Sequence, residues 1–258
     1  MITGSFLNCI IYRLKTGESF LKGRSFCPHC KHVLNFQDLI PVLSFLLLKG
    51  KCRYCSQKIS WQYPLVELAT GMLFVFLVQN QLTINNNQLT ILNLLNLSYL
   101  LITSCFLIVI FVFDLKHYLI PDKVIYPAIL VFGIWYLVSG IFFHSYTKYE
   151  ILNTIFSAFG AAFFFLSIVL ISRGQWMGAG DIKLAFLMGL FLGWPEILVA
   201  LFLTFSIGAI IGIILIVLGK KTLKSEIPFG PFLVLGTFLS FFFSQKIIGF
   251  YLGLIFRF

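Results

Sequence analysis

Two aspartates stand where the sequence turns from an apolar or glycine-rich run to a more polar one. Asp114 follows the apolar residues 108–113, and Asp181 closes the segment Met177-Gly-Ala-Gly-Asp181. Ionisable groups at membrane depth are expensive and tend to be functional. Two carboxylates brought close together can share one proton, so that one activates water as a general base and the other polarises a carbonyl as a general acid. Asp114 and Asp181 are therefore candidates for an aspartyl protease site.

Other interpretations of the same two residues stay open. An aspartate before a helix can be a simple N-cap, and the glycines before Asp181 let the backbone bend or approach another segment closely. The pair could instead form a proton relay in a transporter, or belong to a non-catalytic scaffold. The sequence contains neither Gly-x-Ser-x-Gly nor His-Glu-x-x-His, so no such nucleophile or metalloprotease motif competes.

Several residues near span ends are candidates for supporting roles. We expect Lys183 either to modulate Asp181 electrostatically or to face lipid headgroups as an anchor. Glu67 is either a carboxylate at a helix start or a polar lining residue, and Pro121 is expected to start a helix. The supporting set is Gly178, Gly180, Lys183, Pro121, Asp122 and Glu67, and we expect Pro228, Gly230 and Pro231 to shape the start of the last helix.

Four cysteines form two Cys-x-x-Cys pairs. Cys27-Pro-His-Cys30 and Cys52-Arg-Tyr-Cys55 have 21 residues between them. Each pair can supply two thiolates from one tight turn to a tetrahedral zinc ion, which leaves no open position for substrate. Disulfides and free thiols are the alternatives, but a reducing compartment disfavours disulfides. We predict a structural zinc site that stabilises a domain too small for a large hydrophobic core.

The elements that carry these residues are predicted to be membrane helices. The chain has 258 residues, of which 59% are hydrophobic and 11% charged, whereas a soluble domain carries about 25% charged residues. A spanning helix needs about 20 apolar residues. A first run at 1–12 is short, and we expect its beginning to be missing or shortened. Seven clearer runs follow at 66–79, 95–113, 124–143, 154–172, 182–195, 197–218 and 229–250. We predict an all-α polytopic membrane protein with about eight transmembrane helices and a small zinc-binding cytoplasmic domain.

The net charge of +10 is best explained by membrane topology. Residues 13–64 hold nine of the 19 Lys and Arg residues, and positive loops lie on the cytoplasmic side. Alternation through eight spans gives 16 basic residues inside, two outside (Lys148 and Arg257), and Lys246 within the last span. Both aspartates then lie at the cytoplasmic face. We expect no nucleic acid partner, because the cysteine region lacks interleaved exposed aromatics.

The charge and cysteine patterns divide the chain into three parts. We predict a first, shortened transmembrane span at 1–12, a cytoplasmic four-cysteine zinc-binding domain at 13–65, and a transmembrane aspartyl peptidase domain at 66–258.

The motifs together resemble the bacterial prepilin peptidases, or type IV leader peptidases, which are membrane aspartyl proteases of the Gly-x-Gly-Asp class. The resemblance runs nearly end to end. Its stretches are Gly4-Ser-Phe-Leu-Asn-Cys-Ile-Ile-Tyr-Arg-Leu14, both cysteine pairs, Ile40-Pro-Val-Leu-Ser44, Tyr63-Pro-Leu-Val-Glu67, Asp114 with Ile120-Pro-Asp122, Met177-Gly-Ala-Gly-Asp-Ile-Lys-Leu184, and Ile227-Pro-Phe-Gly-Pro-Phe232.

The resemblance implies a function for each part. The family's catalytic aspartates correspond to Asp114 and Asp181, and its zinc-binding cysteines correspond to Cys27, Cys30, Cys52 and Cys55. The implied substrate is the basic leader of a type IV prepilin or pseudopilin, cut after a glycine at the cytoplasmic face of the bacterial inner membrane.

A second implied activity is N-methylation of the new amino terminus, with S-adenosylmethionine as the methyl donor. We expect the donor where the cytosolic domain around Gly50 meets the first span around Gly4 and Asn8. Type IV pili, type II secretion and competence all stay open as the system that this chain serves.

Overall fold

The computed structural model describes residues 1–19, 23–84, 90–142, 147–222 and 225–255. In these ranges the chain is helical, with no strand beyond two isolated β-bridges, Phe26–Val33 and Lys51–Lys58. A short 3-10 helix covers Phe36–Leu39. The α-helices are α1 (Ile2–Thr16), α2 (Leu43–Leu47), α3 (Gln62–Ile84), α4 (Ile91–His117), α5 (Asp122–Phe142), α6 (Lys148–Ile171), α7 (Ala179–Leu192), α8 (Glu196–Val217) and α9 (Gly230–Ile255).

Six of these helices are long and apolar enough to cross a membrane: α3, α4, α5, α6, α8 and α9. The expectation of an all-α polytopic membrane protein is therefore confirmed. The exact number of spans stays a prediction, because α1 has only 15 residues and α7 only 14. Residues 85–87 and the cations Lys22, Lys224 and Arg257 lie outside the described residues.

The chain forms two compact units, Met1–Val109 and Ile110–Phe258, with the boundary inside α4. In the N-terminal unit, α1 and α3 pack against each other in antiparallel orientation. A Cβ on Gly4 would lie 2.7 Å from the Cα of Glu67, so the two backbones approach as closely as glycine allows. Buried Asn8 adds polar bonds across the same pair, donating to the carbonyl of Tyr63 and accepting from Gln62.

The C-terminal unit is built on two further close helix pairs. A Cβ on Gly189 of α7 would overlap the backbone of Ala158 in α6, and one on Gly236 of α9 would overlap Thr204 in α8. Small residues permit such close packing between membrane helices, where lipid supplies no hydrophobic drive for association. These two pairs fix the positions of α7 and α9, whose first turns carry site residues.

The helix ends follow local chemistry. Thr147 and Glu150 form a reciprocal capping box at the start of α6. Gly17, with φ of 74°, ends α1 in the left-handed conformation that glycine adopts most easily. The carbonyl of Pro121 accepts from the amides of Val124 and Ile125, so Pro121 directly precedes α5 as the sequence predicted.

Two helix boundaries near the aspartates differ from the sequence expectation. The predicted run stops at residue 113, just before Asp114, whereas α4 continues through Asp114 to His117. Asp181 is not an N-cap but the third residue of α7, since the extended Gly178 takes the N-cap position. Both aspartates therefore project from helical turns, which hold a side chain more rigidly than a loop would.

Candidate active site

Asp114 is a buried carboxylate in the last turn of α4, with 5% of its surface exposed. Its Oδ2 accepts a hydrogen bond of 3.0 Å from the backbone N–H of Gly230, the first residue of α9. A helix N-terminus carries a partial positive charge, so it is a favourable neighbour for a carboxylate. A Cβ at position 230 would lie 2.6 Å from the same oxygen, and only glycine fits there without a shift.

Asp181 is the second buried carboxylate of this unit, with 8% of its surface exposed. Its Oδ2 accepts from the backbone N–H of Gly178 at 3.2 Å, and its own amide donates to the Gly178 carbonyl at 3.2 Å. The side chain is thereby held against the first turn of α7. The second glycine of the motif, Gly180, lies against Ile120, where a Cβ would come within 3.1 Å of the isoleucine Cβ.

The structure brings Asp114 and Asp181 together, although 67 positions of the chain separate them. The Asp114 carboxylate binds the first residue of α9, and α9 packs against α7, whose third residue is Asp181. The end of α4 and the starts of α7 and α9 thus form one site, in which two buried carboxylates each accept one backbone N–H. That arrangement has the chemical parts of a base and an acid that share a proton.

Lys183 and Asp122 form an ion pair that joins the start of α7 to the start of α5. The Lys183 ammonium also lies over the ring of Tyr126, 4.9 Å from its centroid. Both charged side chains of the pair are partly exposed. Neither sequence interpretation of Lys183 included this ion pair, because the partners are 61 positions apart.

Glu67 belongs to the N-terminal unit and is buried in the second turn of α3. Its Oε2 accepts a hydrogen bond of 2.8 Å from the backbone N–H of Val42, just before α2. Val42 has φ of 63°, an unfavourable value for a β-branched residue. Glu67 therefore fixes the turn that leads into α2.

The four cysteines of the paired motifs form one cluster, in which all the Sγ atoms lie within 4.8 Å of one another. The Sγ atoms of Cys27 and Cys55 are 3.9 Å apart. A tetrahedron with Zn–S bonds of about 2.3 Å has edges of about 3.8 Å, so the donor set fits a zinc ion.

The two cysteine turns share one backbone pattern. In the first turn, the amide of Cys27 donates to the carbonyl of His32, and the amide of Lys31 donates to the carbonyl of Cys27. In the second turn, the amide of Cys52 donates to the carbonyl of Gln57, and the amide of Ser56 donates to the carbonyl of Cys52. The residue after the second cysteine has a positive φ in both turns, 59° at Lys31 and 57° at Ser56. The second turn is tied to the 3-10 helix by an ion pair of 2.7 Å between Arg53 and Asp38.

The environment of Asp38 favours its charged form. Burial raises the pKa of this carboxyl, but hydrogen bonds from Arg53, Asn35 and Tyr54 more than offset that effect and hold the pKa below its ordinary value. The ion pair is thus fully formed at neutral pH, and its contribution to stability is lost only in acid, as the pH falls through the lowered pKa.

The methyl-donor location expected from the sequence, around Gly50, Gly4 and Asn8, stays a prediction. Gly4 lies against α3, and Asn8 is 2% exposed with its amide engaged on both sides. A Cβ on Gly50 would meet the Phe45 ring at 3.2 Å. Gly4 and Asn8 therefore face α3 rather than open space.

Comparisons with known proteins cover both units. A model of the Bacterial Peptidase A24 N-terminal domain matches residues 1–81, and one of the Type IV leader peptidase family matches residues 101–213. A relative from Aeromonas salmonicida (strain A449), named prepilin leader peptidase/N-methyltransferase, is 31% identical over 285 residues, which cover 99% of this chain and 92% of the relative. This chain belongs to the type IV leader peptidase family.

Two other relatives with the same name are similar to nearly the whole chain. The relative from Bacillus subtilis (strain 168) is 31% identical over 98% of this chain and 94% of its own length. The relative from Legionella pneumophila is 29% identical over 98% of this chain and 92% of its own length. No solved structure matches the chain.

The two family models cover different candidate residues of this chain. The N-terminal match contains the cysteine cluster and Glu67, and the second match contains both aspartates with Asp122 and Lys183. Gly230, which binds Asp114, lies beyond the second match. The sequence alone assigned Gly230 only to the start of a helix. The local signal for a position that needs glycine was its place between Phe229 and Pro231.

Proposed function

We propose that this chain removes the leader peptide of type IV prepilins or pseudopilins by aspartyl protease chemistry. The observation that carries the proposal is the pairing of two buried carboxylates, Asp114 and Asp181, contributed by different helices of one unit and each held by a glycine N–H. The names of the relatives, prepilin leader peptidase/N-methyltransferase, support the substrate class.

In the proposed mechanism the two aspartates act as one unit that holds a single proton. The ionised carboxylate takes a proton from water, and the water oxygen attacks the scissile carbonyl carbon while the protonated carboxyl donates to the carbonyl oxygen. Collapse of the tetrahedral intermediate breaks the C–N bond, and the leaving nitrogen takes up a proton from the dyad. The glycine N–H groups keep both carboxylates oriented throughout.

The helix register supports a site recessed from the cytoplasmic surface. Gly208 of α8 lies beside Phe232, two residues after Gly230 in α9, and α8 continues nine residues further to Val217. At 1.5 Å per residue this segment extends about 14 Å beyond the level of Phe232, and about 10 Å beyond the level of Gly230, which binds Asp114. A substrate segment that reaches the aspartates would have to unwind near its cleavage site, which is consistent with cleavage after a glycine.

We also propose a structural zinc ion held by Cys27, Cys30, Cys52 and Cys55 in a cytoplasmic domain at 13–65. The peptidase domain would comprise 66–258, in the bacterial inner membrane with the dyad facing the cytoplasm. The relatives' names support a second activity, N-methylation of the new amino terminus. S-adenosylmethionine would supply the methyl group for that reaction.

Reconstitution with a tagged prepilin tests this function. We expect the purified protein in lipid nanodiscs to release a product whose mass corresponds to cleavage directly after the leader glycine, with or without a methyl donor. Addition of S-adenosylmethionine should increase the product mass by one methyl group. An intact prepilin, or a proton flux with no cleavage in proteoliposomes, would contradict the proposal.

A further inference from the structure

Helix α2 leaves an apolar face uncovered in the N-terminal unit. Leu43, Leu46 and Leu47 are 57%, 61% and 81% exposed, and their spacing puts them on one side of the helix. On the other side, Phe45 is buried against the ring of Trp61, with centroids 5.0 Å apart. We refer to Leu43, Leu46 and Leu47 as the α2 leucine face.

The neighbouring 3-10 helix adds to the exposed apolar surface. Phe36 is 83% exposed and Leu39 is 37% exposed, and this helix packs next to α2. Exposed apolar side chains on two neighbouring elements indicate a binding surface for another apolar partner.

The Glu67–Val42 hydrogen bond fixes the start of α2 beside α3. Glu67 is the sixth residue of α3, so it lies about 8 Å along that helix. Residues Gln62–Thr83 of α3 are long and apolar enough to span a bilayer. Because the amide of Val42 binds Glu67, α2 begins beside the second turn of a membrane helix rather than far out in solution.

The residues around α2 have the composition of a membrane interface. Trp61, directly before α3, is 68% exposed, and Leu65 in its first turn is 59% exposed. Indole side chains are enriched at the headgroup level of bilayers. Lys49 and Lys51 directly follow α2 and are exposed, and within the described residues neither forms an ion pair. Such lysines attract anionic lipid phosphates.

We propose that the α2 leucine face docks into the interfacial layer of the bilayer that α3 crosses, in the leaflet where α3 begins. The occupant of this face is lipid, with the acyl-chain boundary covering the leucines and anionic headgroups facing Lys49 and Lys51. Docking would hold the cysteine domain against the membrane surface at the end of α3. The inference does not depend on the proposed proteolysis.

Tryptophan quenching by brominated lipids tests the docking in the full-length protein. In the test variant, the four native tryptophans are replaced by phenylalanine and Leu47→Trp is added. This variant is placed in two kinds of nanodisc, whose lipids carry bromine either near the glycerol end or near the methyl end of the acyl chain. An interfacial helix face lies about 5–10 Å into the headgroup and acyl boundary, so we expect about twofold quenching by shallow bromine and less by deep bromine.

The matched control is Gln57→Trp in the same background, at an exposed position of the second cysteine turn. We expect iodide in the buffer to quench this variant, and bromolipid to leave it unchanged. Equal bromolipid quenching of both variants, or none of either, would overturn the proposal. Protection of Leu47→Trp from both bromolipid and iodide would also overturn it, because protein would then cover the face.

A second reporter avoids any change in α2. A variant that keeps only Trp61, with Trp135, Trp176 and Trp194 replaced by phenylalanine, should show the same preference for shallow bromine. Adding Lys49→Ala and Lys51→Ala should weaken its quenching in anionic nanodiscs and leave it unchanged in zwitterionic ones. Quenching that does not respond to lipid charge or bromine depth would contradict interfacial docking.

Discussion

At the scale of single residues, the contact between Asp114 and Gly230 is the tightest constraint on the site. The carboxylate accepts from the first amide of α9, at a point where any side chain would collide with it. A small displacement of a reacting group can reduce a rate about 100-fold. The glycine therefore acts by positioning Asp114 and needs no chemistry of its own.

We predict that Gly230→Ala lowers kcat/KM for prepilin cleavage by about 10- to 100-fold, because the new methyl group must displace the Asp114 carboxylate. The control is Gly249→Ala in the same helix, where a Cβ meets nothing within 4 Å. Cleavage rates and thermal unfolding of both variants are the measurements. Equal rates for the two variants would show that the contact does not matter for activity.

A second prediction at the scale of single residues concerns the ion pair of Asp122 and Lys183. An exposed pair contributes at most about 1 kcal/mol to stability, but this one joins the helix starts that flank Asp181. We expect Asp122→Lys and Lys183→Asp each to lower kcat about 3- to 10-fold with little change in KM.

The exchanged pair, with both substitutions in one chain, should recover most of the lost kcat. Recovery would identify a positioning role, because a role of either charge in substrate binding would not survive the exchange. Failure of the double variant to exceed the single variants, with unfolding temperatures unchanged, would contradict the positioning role.

Individual residues differ in how far the sequence could predict them. The sequence points to Asp114 because it follows a long apolar run, and to Asp181 because it closes a glycine-rich segment directly before another apolar run. The sequence does not predict that Gly230 binds Asp114, because 116 positions separate the two residues. It does not predict that Asp122 pairs with Lys183 either, because these residues are 61 positions apart. Local patterns carry no information on which distant helix ends meet.

At the scale of elements, the cysteine turns are the part that spacing predicts best. Two Cys-x-x-Cys turns with one backbone pattern bring four sulfur atoms into a tetrahedral-sized cluster. The helix boundaries beside the aspartates were harder to predict, since Gly178 rather than Asp181 serves as the N-cap of α7. Glycine is a weaker N-cap signal than aspartate in a sequence, so Asp181 was the more natural N-cap candidate.

We predict that the purified chain carries one zinc ion and that Cys27→Ser together with Cys52→Ser removes it, because only two thiolate ligands remain. Elemental analysis and the thermal stability of the N-terminal unit are the measurements. The control is Cys9→Ser, at a cysteine of α1 outside the cluster. Full zinc content in the double variant would rule out this site.

At the scale of the whole molecule, composition alone predicted a helical membrane protein, and six span-length helices agree with it. The number of spans was not predictable in the same way, because α1 and α7 are shorter than a bilayer requires. Their packing partners explain why short helices persist. The close contacts at Gly4 in α1 and Gly189 in α7 tie each one to a long neighbouring helix.

The most direct test of the central claim is the cleavage activity of Asp114→Asn and Asp181→Asn in nanodiscs. An amide can neither accept the proton from water nor hold the shared one, so we expect each variant to lose at least about 100-fold in kcat/KM. Glu226→Gln, the same chemical change at an exposed loop carboxylate, should keep full activity. Normal processing of a prepilin by either folded aspartate variant would contradict the proposed mechanism.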